Sequence, residues 1–458
     1  MKALLIDIGS TFTKVTLVNL DPPFLIGTSQ ALTTAATDLM EGLEKALEAF
    51  SPEQLNGVKV KRACSSAAGG LRIVAIGLVS DLTVKAAREA ALGAGARVLA
   101  AYSYTLTDQE IQEIKGLKPD LLLLAGGTDG GERKTILENA AIIAEAGLEV
   151  PVVYAGNKVV ASEAVEILKN KVPRVVVSRN VMPEVNILNP QPARQAIRQL
   201  YLEEITKAKG LDRIQEQVGL AMPTPMAVMR GGELLQSSWK KEVVVVDVGG
   251  ATTDVHSFCD GKPRTSGVIF RGLEEPFAKR TVEGDLGMRV SIFSLLQSLG
   301  EESLAANLPF VPEEGEITAY AMRVHNERGA LPRNEREMYL ERALAMSCIR
   351  EALLRHAGSL NETYTPGGRI WLQKGKDLTK VDLMVGTGGV LVRAQKPSDI
   401  LGGALKDRDP LALTPVNPEL YLDEHYILSA IGLLAEVDSG AAEMLLKEAL
   451  APTGRDED

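Results

Sequence analysis

Residues 243–255 read VVVVDVGGATTDV, and residues 4–18 read LLIDIGSTFTKVTLV. Each is an apolar run that delivers an Asp, a Gly turn and hydroxyls, then returns to apolar residues. Both spell strand–turn–strand. A buried strand gains nothing from an Asp near its end, so the carboxylate needs a chemical reason. Gly9 and Gly249 let the backbone turn tightly and approach a ligand. Consecutive N–H groups in such a turn form an anion-binding concavity. Ser10, Thr11 and Thr13 add hydroxyls to the first turn, and Thr252 and Thr253 to the second. Gly250 and Ala251 allow closer approach there. Lys14 is either a point charge set against phosphate or a solvated strand residue. Asp7 and Asp247 would repel phosphate unless a cation lay between, and Mg²⁺ takes phosphate oxygens with one or two carboxylates. Two such turns face to face would clamp a di- or triphosphate and its metal, in a cleft between two domains.

A third turn, VGTGG at 385–389, follows a strand and precedes a short apolar helix. It carries no carboxylate. Gly386, Gly388 and Gly389 would suit close packing against a flat nucleoside.

The rest of the chain bounds the reading. Its 458 residues exceed one core and suffice for two domains or more. Aromatics are 4%, too few for a base-stacking surface, and the net charge of −10 opposes binding along a phosphate backbone, so no nucleic-acid partner is expected. Three dispersed cysteines imply a reducing compartment rather than a disulfide framework. Four scattered histidines weaken His-based metal sites and Ser–His chemistry. Asp7 interrupts the first apolar run before it could serve a signal peptide, and no run nears the ~20 apolar residues of a membrane span. A cytoplasmic protein is expected.

Between 70 and 200, apolar pieces at 73–79, 97–101, 121–125, 151–154 and 174–178 alternate with helical stretches, which predicts parallel α/β layers. A tight turn is expected over SAAGGLR (66–72), and helices over 286–300, 335–359, 424–435 and 440–450. In the second of these, Cys348 and His356 share an apolar i, i+4 stripe and read as a packed face. The tail, 451–458, is charged and expected to be disordered.

Together LLIDIGSTFTK, VVVVDVGGATTDV and VDLMVGTGGVLVR resemble the two phosphate loops and the adenosine loop of the actin-like ATPase superfamily, which includes sugar kinases, the Hsp70 nucleotide domain and actin. They span nearly the whole chain in that order. RACSSAAGGLRIVAIGLV, LLLLAGGTDGG, MPTPMAVMRGGELL and TVEGDLGMR resemble, more narrowly, the MutL-type accessory proteins of glutamate mutase, unrelated to the mismatch-repair protein of that name.

The resemblance implies two actin-like (ribonuclease H-like) α/β domains flanking a nucleotide cleft. Domain I would be 1–235 with an α/β insertion around 60–200, domain II 236–395, and C-terminal helices 396–458. It implies ATP or ADP with Mg²⁺ as cofactors, Asp7 and Asp247 holding the metal mainly through water. It implies phosphate contacts from Gly9, Ser10, Thr11, Thr13, Gly249, Gly250, Thr252 and Thr253, and adenosine against Gly386, Gly388 and Gly389. Glu283 and Arg289 in TVEGDLGMR would touch ribose or base, or merely begin a solvated helix. Asp129, then Glu132, are the candidates for a hydrolytic base, with turn stabilisation the equal alternative for Asp129. The implied partners are subunits of an adenosylcobalamin-dependent mutase (glutamate mutase or an aminomutase), which the chain would reactivate as an ATP-driven chaperone. A small-molecule kinase, a nucleotide-dependent scaffold or filament, and a hydantoinase-like hydrolase remain alternatives. The oligomeric state is open, a homodimer included.

Overall fold

The computed structural model describes residues 1–35, 37–67, 70–206, 211–366, 368–406 and 408–453. The turn expected over 66–72 includes residues 68 and 69, and the tail includes 454–458; these lie outside the described residues. The chain divides into unit 1 (Met1–Arg62, Ala227–Arg271, Arg280–Asp458) and unit 2 (Ala63–Met226, Gly272–Lys279). The insertion expected around 60–200 falls in unit 2, and the stretches carrying the three turns fall in unit 1.

The first turn joins β1 (Lys2–Ile8) to β2 (Phe12–Leu20) in an antiparallel hairpin, with Ile8 opposite Thr13 and Asp7 opposite Lys14. Six of the seven residues of β1 are buried, so the strand reads as one apolar run rather than an alternation. β3 (Pro23–Leu32) extends the hairpin, and β4 (Val58–Ser65) lies on the other side of β1. β4 then carries the chain into unit 2.

Unit 2 contains a sheet of β5 (Arg72–Gly77), β6 (Arg97–Ser103), β7 (Leu121–Leu124), β8 (Val152–Tyr154) and β9 (Val175–Val177), in the order β6-β5-β7-β8-β9 with every pairing parallel. This is the layer that the alternation between 70 and 200 predicts. Helices Asp108–Leu117, Lys134–Glu145 and Ala161–Leu168 bury Ile111, Ile114, Ile136, Ala140, Ile143, Ala164 and Leu168 against it.

Two buried asparagines tie the loops at the carboxyl edge. Asn157 Oδ1 accepts from Gly130 N and Val159 N, and its Nδ2 donates to Gly131 O and Glu132 O. Asn180 Nδ2 donates to Gly127 O and Asp129 Oδ1. Asn157→Ala leaves four main-chain groups without their partner. We expect unit 2 to lose about 3 kcal/mol, read as a shifted urea midpoint with faster amide exchange over 126–133.

β10 (Leu220–Pro223) pairs in parallel with the end of β4 and completes the order β3-β2-β1-β4-β10. The second turn joins β11 (Val243–Val248) to β12 (Thr253–Phe258), with Val248 opposite Thr253 and Asp247 opposite Asp254. β13 (Val268–Phe270) belongs to a separate small sheet. β14 (Ala278–Glu283) flanks β12. β15 (Ser359–Thr365) and β16 (Gly368–Lys374) form an antiparallel hairpin completing the small sheet, order β13-β16-β15. β17 (Leu383–Thr387) and β18 (Glu419–Asp423) add in parallel beyond β11, and β19 (Leu450–Pro452) closes the edge.

The larger order is therefore β14-β12-β11-β17-β18-β19. Its first five strands repeat the first sheet: third, second, first, fourth, fifth. The fold is α/β with the actin-like, ribonuclease H-like sheet present twice. Helix Glu335–His356 packs Leu344, Cys348 and Ala352 into the core behind β11 and β12, as the stripe predicts. His356 is fully buried, its ring bonded to Ser257 Oγ and Thr281 Oγ1.

Three expectations need correction. The helix predicted over 286–300 is Ile292–Leu299, and Glu283 ends a strand rather than starting a helix. Thr281 and Val282 favour the strand, and Gly284 and Gly287 disfavour a helix directly after it. The helix predicted over 424–435 begins at Leu428. The start of the tail, residues 451–453, is held to β18: Ala451 pairs with Leu422 and Thr453 N donates to Leu420 O.

Candidate functional site

The two Asp–Gly turns are built alike. Gly9 N donates to Phe12 O at 3.0 Å, and Gly249 N to Thr252 O at 2.9 Å. A Cβ at Gly9 would stand 2.8 Å from Phe12 O, and one at Gly249 2.9 Å from Thr252 O, so both turns exclude a side chain. They also meet: a Cβ at Gly250 would lie 3.1 Å from Thr11 Oγ1. The third turn joins them. Gly388 has φ +103°, and a Cβ there would fall 2.4 Å from Val248 O and 2.9 Å from Asp247 Oδ1. Three turns from two sheets thus converge within unit 1.

The matching hairpin registers place Lys14 opposite Asp7 but Asp254 opposite Asp247. Lys14 Nζ lies 2.6 Å from Asp7 Oδ2 and 3.6 Å from the centroid of the Tyr426 ring. Ser429 Oγ donates to the same Asp7 oxygen at 3.0 Å. Burial is the largest single influence and would lower the Lys14 pKa, but the charge and hydrogen bond of Asp7, with the Tyr426 and Asp247 charges, together outweigh it and hold the ammonium above its ordinary range. Asp254 is held by the Arg280 guanidinium, with Nε at 2.8 Å, and by Thr252 Oγ1 at 2.9 Å.

Among the described residues Asp247 has no such counter-ion in contact. Its Oδ1 is buried without a hydrogen-bond partner among the described residues, and so is Thr11 Oγ1. Burial pushes the Asp247 carboxyl up to about 7, with the charges of Asp254, Asp7 and Asp423 adding to the effect and Lys14 opposing it. Orphaned buried oxygens of this kind are rare. Mg²⁺ bound with a phosphate needs only one or two carboxylates, waters and the phosphate itself. An unpartnered carboxylate oxygen at Asp247, with Asp7 as the second carboxylate, fits it.

Other expected residues have defined places. Ser10 is exposed, and Gly389 has open space where a side chain would stand. Thr13 and Thr253 are fully buried: Thr13 Oγ1 bonds Thr33 Oγ1, and Thr253 Oγ1 donates to Leu286 O. Gly386 abuts Leu391 and Leu401, which makes it a packing glycine. Arg289 is anchored to the second turn by its own N–H, which donates to Gly250 O at 2.8 Å, while its guanidinium pairs with Glu341. Glu283 pairs with Arg355 at 2.9 Å. Burial raises the Glu283 carboxyl despite that arginine.

Asp129 and Glu132 lie in unit 2, in the loop after β7. Asp129 Oδ1 accepts from Lys158 N and Asn180 Nδ2. Burial alone would raise its pKa, but these donors and the Lys158 ammonium bring it below the ordinary value. Glu132, one residue before the N-cap Arg133, accepts through Oε1 from Thr135 N in the first turn of helix Lys134–Glu145, while its Oε2 is buried without a hydrogen-bond partner among the described residues.

Sequence reasoning missed the junction of β18 with helix Leu428–Ala435. Asp423 is fully buried and accepts from Thr387 Oγ1, Ile427 N and Leu428 N at 2.9–3.0 Å. It therefore joins the third turn to the helix that brings Ser429 to Asp7. Burial raises its pKa against these donors. The one local signal was an Asp between an apolar strand and an apolar helix.

A family model described as MutL protein matches residues 3–450. Protein MutL of Clostridium tetanomorphum is 46% identical over 458 residues, covering 98% of each chain. Solved structures of similar shape include the ATP-dependent caprolactamase from Pseudomonas jessenii, at 12% identity and TM-score 0.39 over 94% of this chain and 70% of that one. Gluconate kinase from Lactobacillus acidophilus is 10% identical, with TM-score 0.34 over 98% and 92%.

Proposed function

The chain belongs to the MutL protein family, and from that premise we propose that it is a Mg²⁺-dependent ATPase that reactivates an adenosylcobalamin-dependent mutase. The observation that carries the nucleotide reading is the pair of like-built Gly turns meeting at Thr11 and Gly250, with a buried Asp247 oxygen that has no partner among the described residues.

In this reading the turn N–H groups bind the phosphates. Asp7 and Asp247 hold Mg²⁺, which supplies charge neutralisation between carboxylate and phosphate. Lys14 keeps Asp7 oriented through the 2.6 Å pair, and Ser429 fixes the same oxygen from helix Leu428–Ala435, which follows β18. A γ-phosphate bound to turns of both sheets would hold the sheets together, and its loss on hydrolysis would release them. That motion would be passed to the mutase to expel a damaged cofactor. The donors around Asp129 and the Thr135 N–H on Glu132 favour turn stabilisation for both over a role in hydrolysis.

Calorimetry on the purified chain should show ATP and ADP binding that requires Mg²⁺. Glutamate mutase inactivated by damaged cofactor should regain turnover with the chain, ATP, Mg²⁺ and adenosylcobalamin, and stay inactive with a non-hydrolysable analogue. No Mg²⁺-dependent binding would sink the nucleotide reading. Binding without reactivation would sink the chaperone role alone.

A further inference from the structure

Arg393 is an exposed arginine with an unusual choice of partner. Its guanidinium carbon lies 5.2 Å from the centroid of the Phe12 ring. It makes no ion pair among the described residues. Each side of this contact is carried by a turn of the site. Phe12 O accepts the N–H of Gly9, so the backbone of Phe12 closes the first Asp–Gly turn. Arg393 N donates to Gly389 O at the end of the short helix Gly389–Val392, so the backbone of Arg393 is tied to the third turn. The pair therefore joins a turn of one sheet to a turn of the other, and Phe12 directly follows Thr11, whose hydroxyl meets Gly250.

We propose that Arg393 and Phe12 form a latch across the nucleotide site, Arg393 being a positioning residue that gates passage of the nucleotide. This rests on the nucleotide reading above. A cation over an aromatic face holds planar groups together without a fixed hydrogen-bond direction, and it can break and reform as turns separate. A nucleotide passes only while the pair is open. The latch then slows association and dissociation by one factor and leaves affinity unchanged. An exposed cation–π pair of ordinary strength corresponds to about two- to fivefold in rate.

The test is stopped-flow binding of a fluorescent ATP analogue with Mg²⁺ to the full chain. Arg393→Ala and Phe12→Leu should each raise both rate constants about two- to fivefold, with Kd unchanged and with salt affecting them less than wild type. Arg393→Lys, which keeps a cation over the ring, should restore part of the effect. Rates unchanged in both variants would overturn the latch. So would a rise in dissociation alone, which would make Arg393 a direct ligand contact. Absence of binding to the wild-type chain would remove the nucleotide reading, and the latch with it.

Discussion

Asp247→Asn should lose roughly 10- to 100-fold in Mg²⁺-dependent nucleotide affinity, while becoming more stable than wild type above pH 7. Both effects come from one atom. Asp247 Oδ1 is buried with no hydrogen-bond partner among the described residues and faces the charges of Asp254 and Asp7. An ionised carboxylate there is costly to folding and useful only to a cation. The sign comes from linkage. An unfolded Asp titrates near ~3.9, whereas the folded one is pushed up to about 7. The folded state holds the proton more tightly, so its contribution to stability is full below the unfolded pKa and is lost as pH rises through about 7. Asparagine removes that slope. Urea midpoints at pH 5.5 and pH 8 should converge for the variant and stay apart for wild type. Wild-type affinity for Mg²⁺–nucleotide should fall below pH 7, because the metal then competes with a proton. A variant as destabilised at pH 8 as at pH 5.5 would show that Asp247 has a structural partner instead. The same mutation at Asp7 should behave differently: Asp7 neutralises Lys14 and accepts from Ser429, so its loss strands a buried ammonium.

Much of this site was legible because the chain states it twice. Two apolar runs ending in Asp–x–Gly with hydroxyls beyond gave the hairpins, their turns and the two carboxylates. The third turn was readable from its glycines. Chain position could not give charge environment. Asp254 and Lys14 stand at equivalent hairpin positions, and only the fold shows that one is bound by Arg280 and the other by Asp7. Asp423, Tyr426 and Ser429 reach the site through a strand–helix junction far along the chain, where a helix cap is all the local pattern reveals. Thr13 and Thr253 look like ligand hydroxyls in sequence because nothing local says that Thr33 and Leu286 already bond them. The small sheet was missed for a related reason. β15 is mostly exposed along both faces, so it has no alternation to read.

The helix that brings Ser429 to Asp7 sets the second large effect, Gly432→Ala. Helix Leu428–Ala435 crosses helix Thr224–Trp239 backbone to backbone. A Cβ at Gly432 would stand 1.8 Å from Ala227 O and 3.0 Å from Gly231 N, and one at Gly231 would stand 2.6 Å from Leu428 O. The obstacles are main-chain atoms, so no rotamer change relieves them and one helix must shift. Overpacking in a closed core costs typically 1–3 kcal/mol and sometimes more; a clash with a helix backbone belongs at the upper end, about 3 kcal/mol or above. The shift would also move Ser429, three residues earlier on the same helix, off Asp7 Oδ2. Gly432→Ala should therefore lower the urea midpoint and, in the fraction still folded, weaken Mg²⁺–nucleotide binding. Ser429→Ala separates the two effects, because it removes the hydroxyl and leaves the crossing intact. It should weaken binding by a smaller factor with a near wild-type midpoint. If Gly432→Ala melts with wild-type behaviour, the helices do not cross as closely as Ala227 O and Gly432 require.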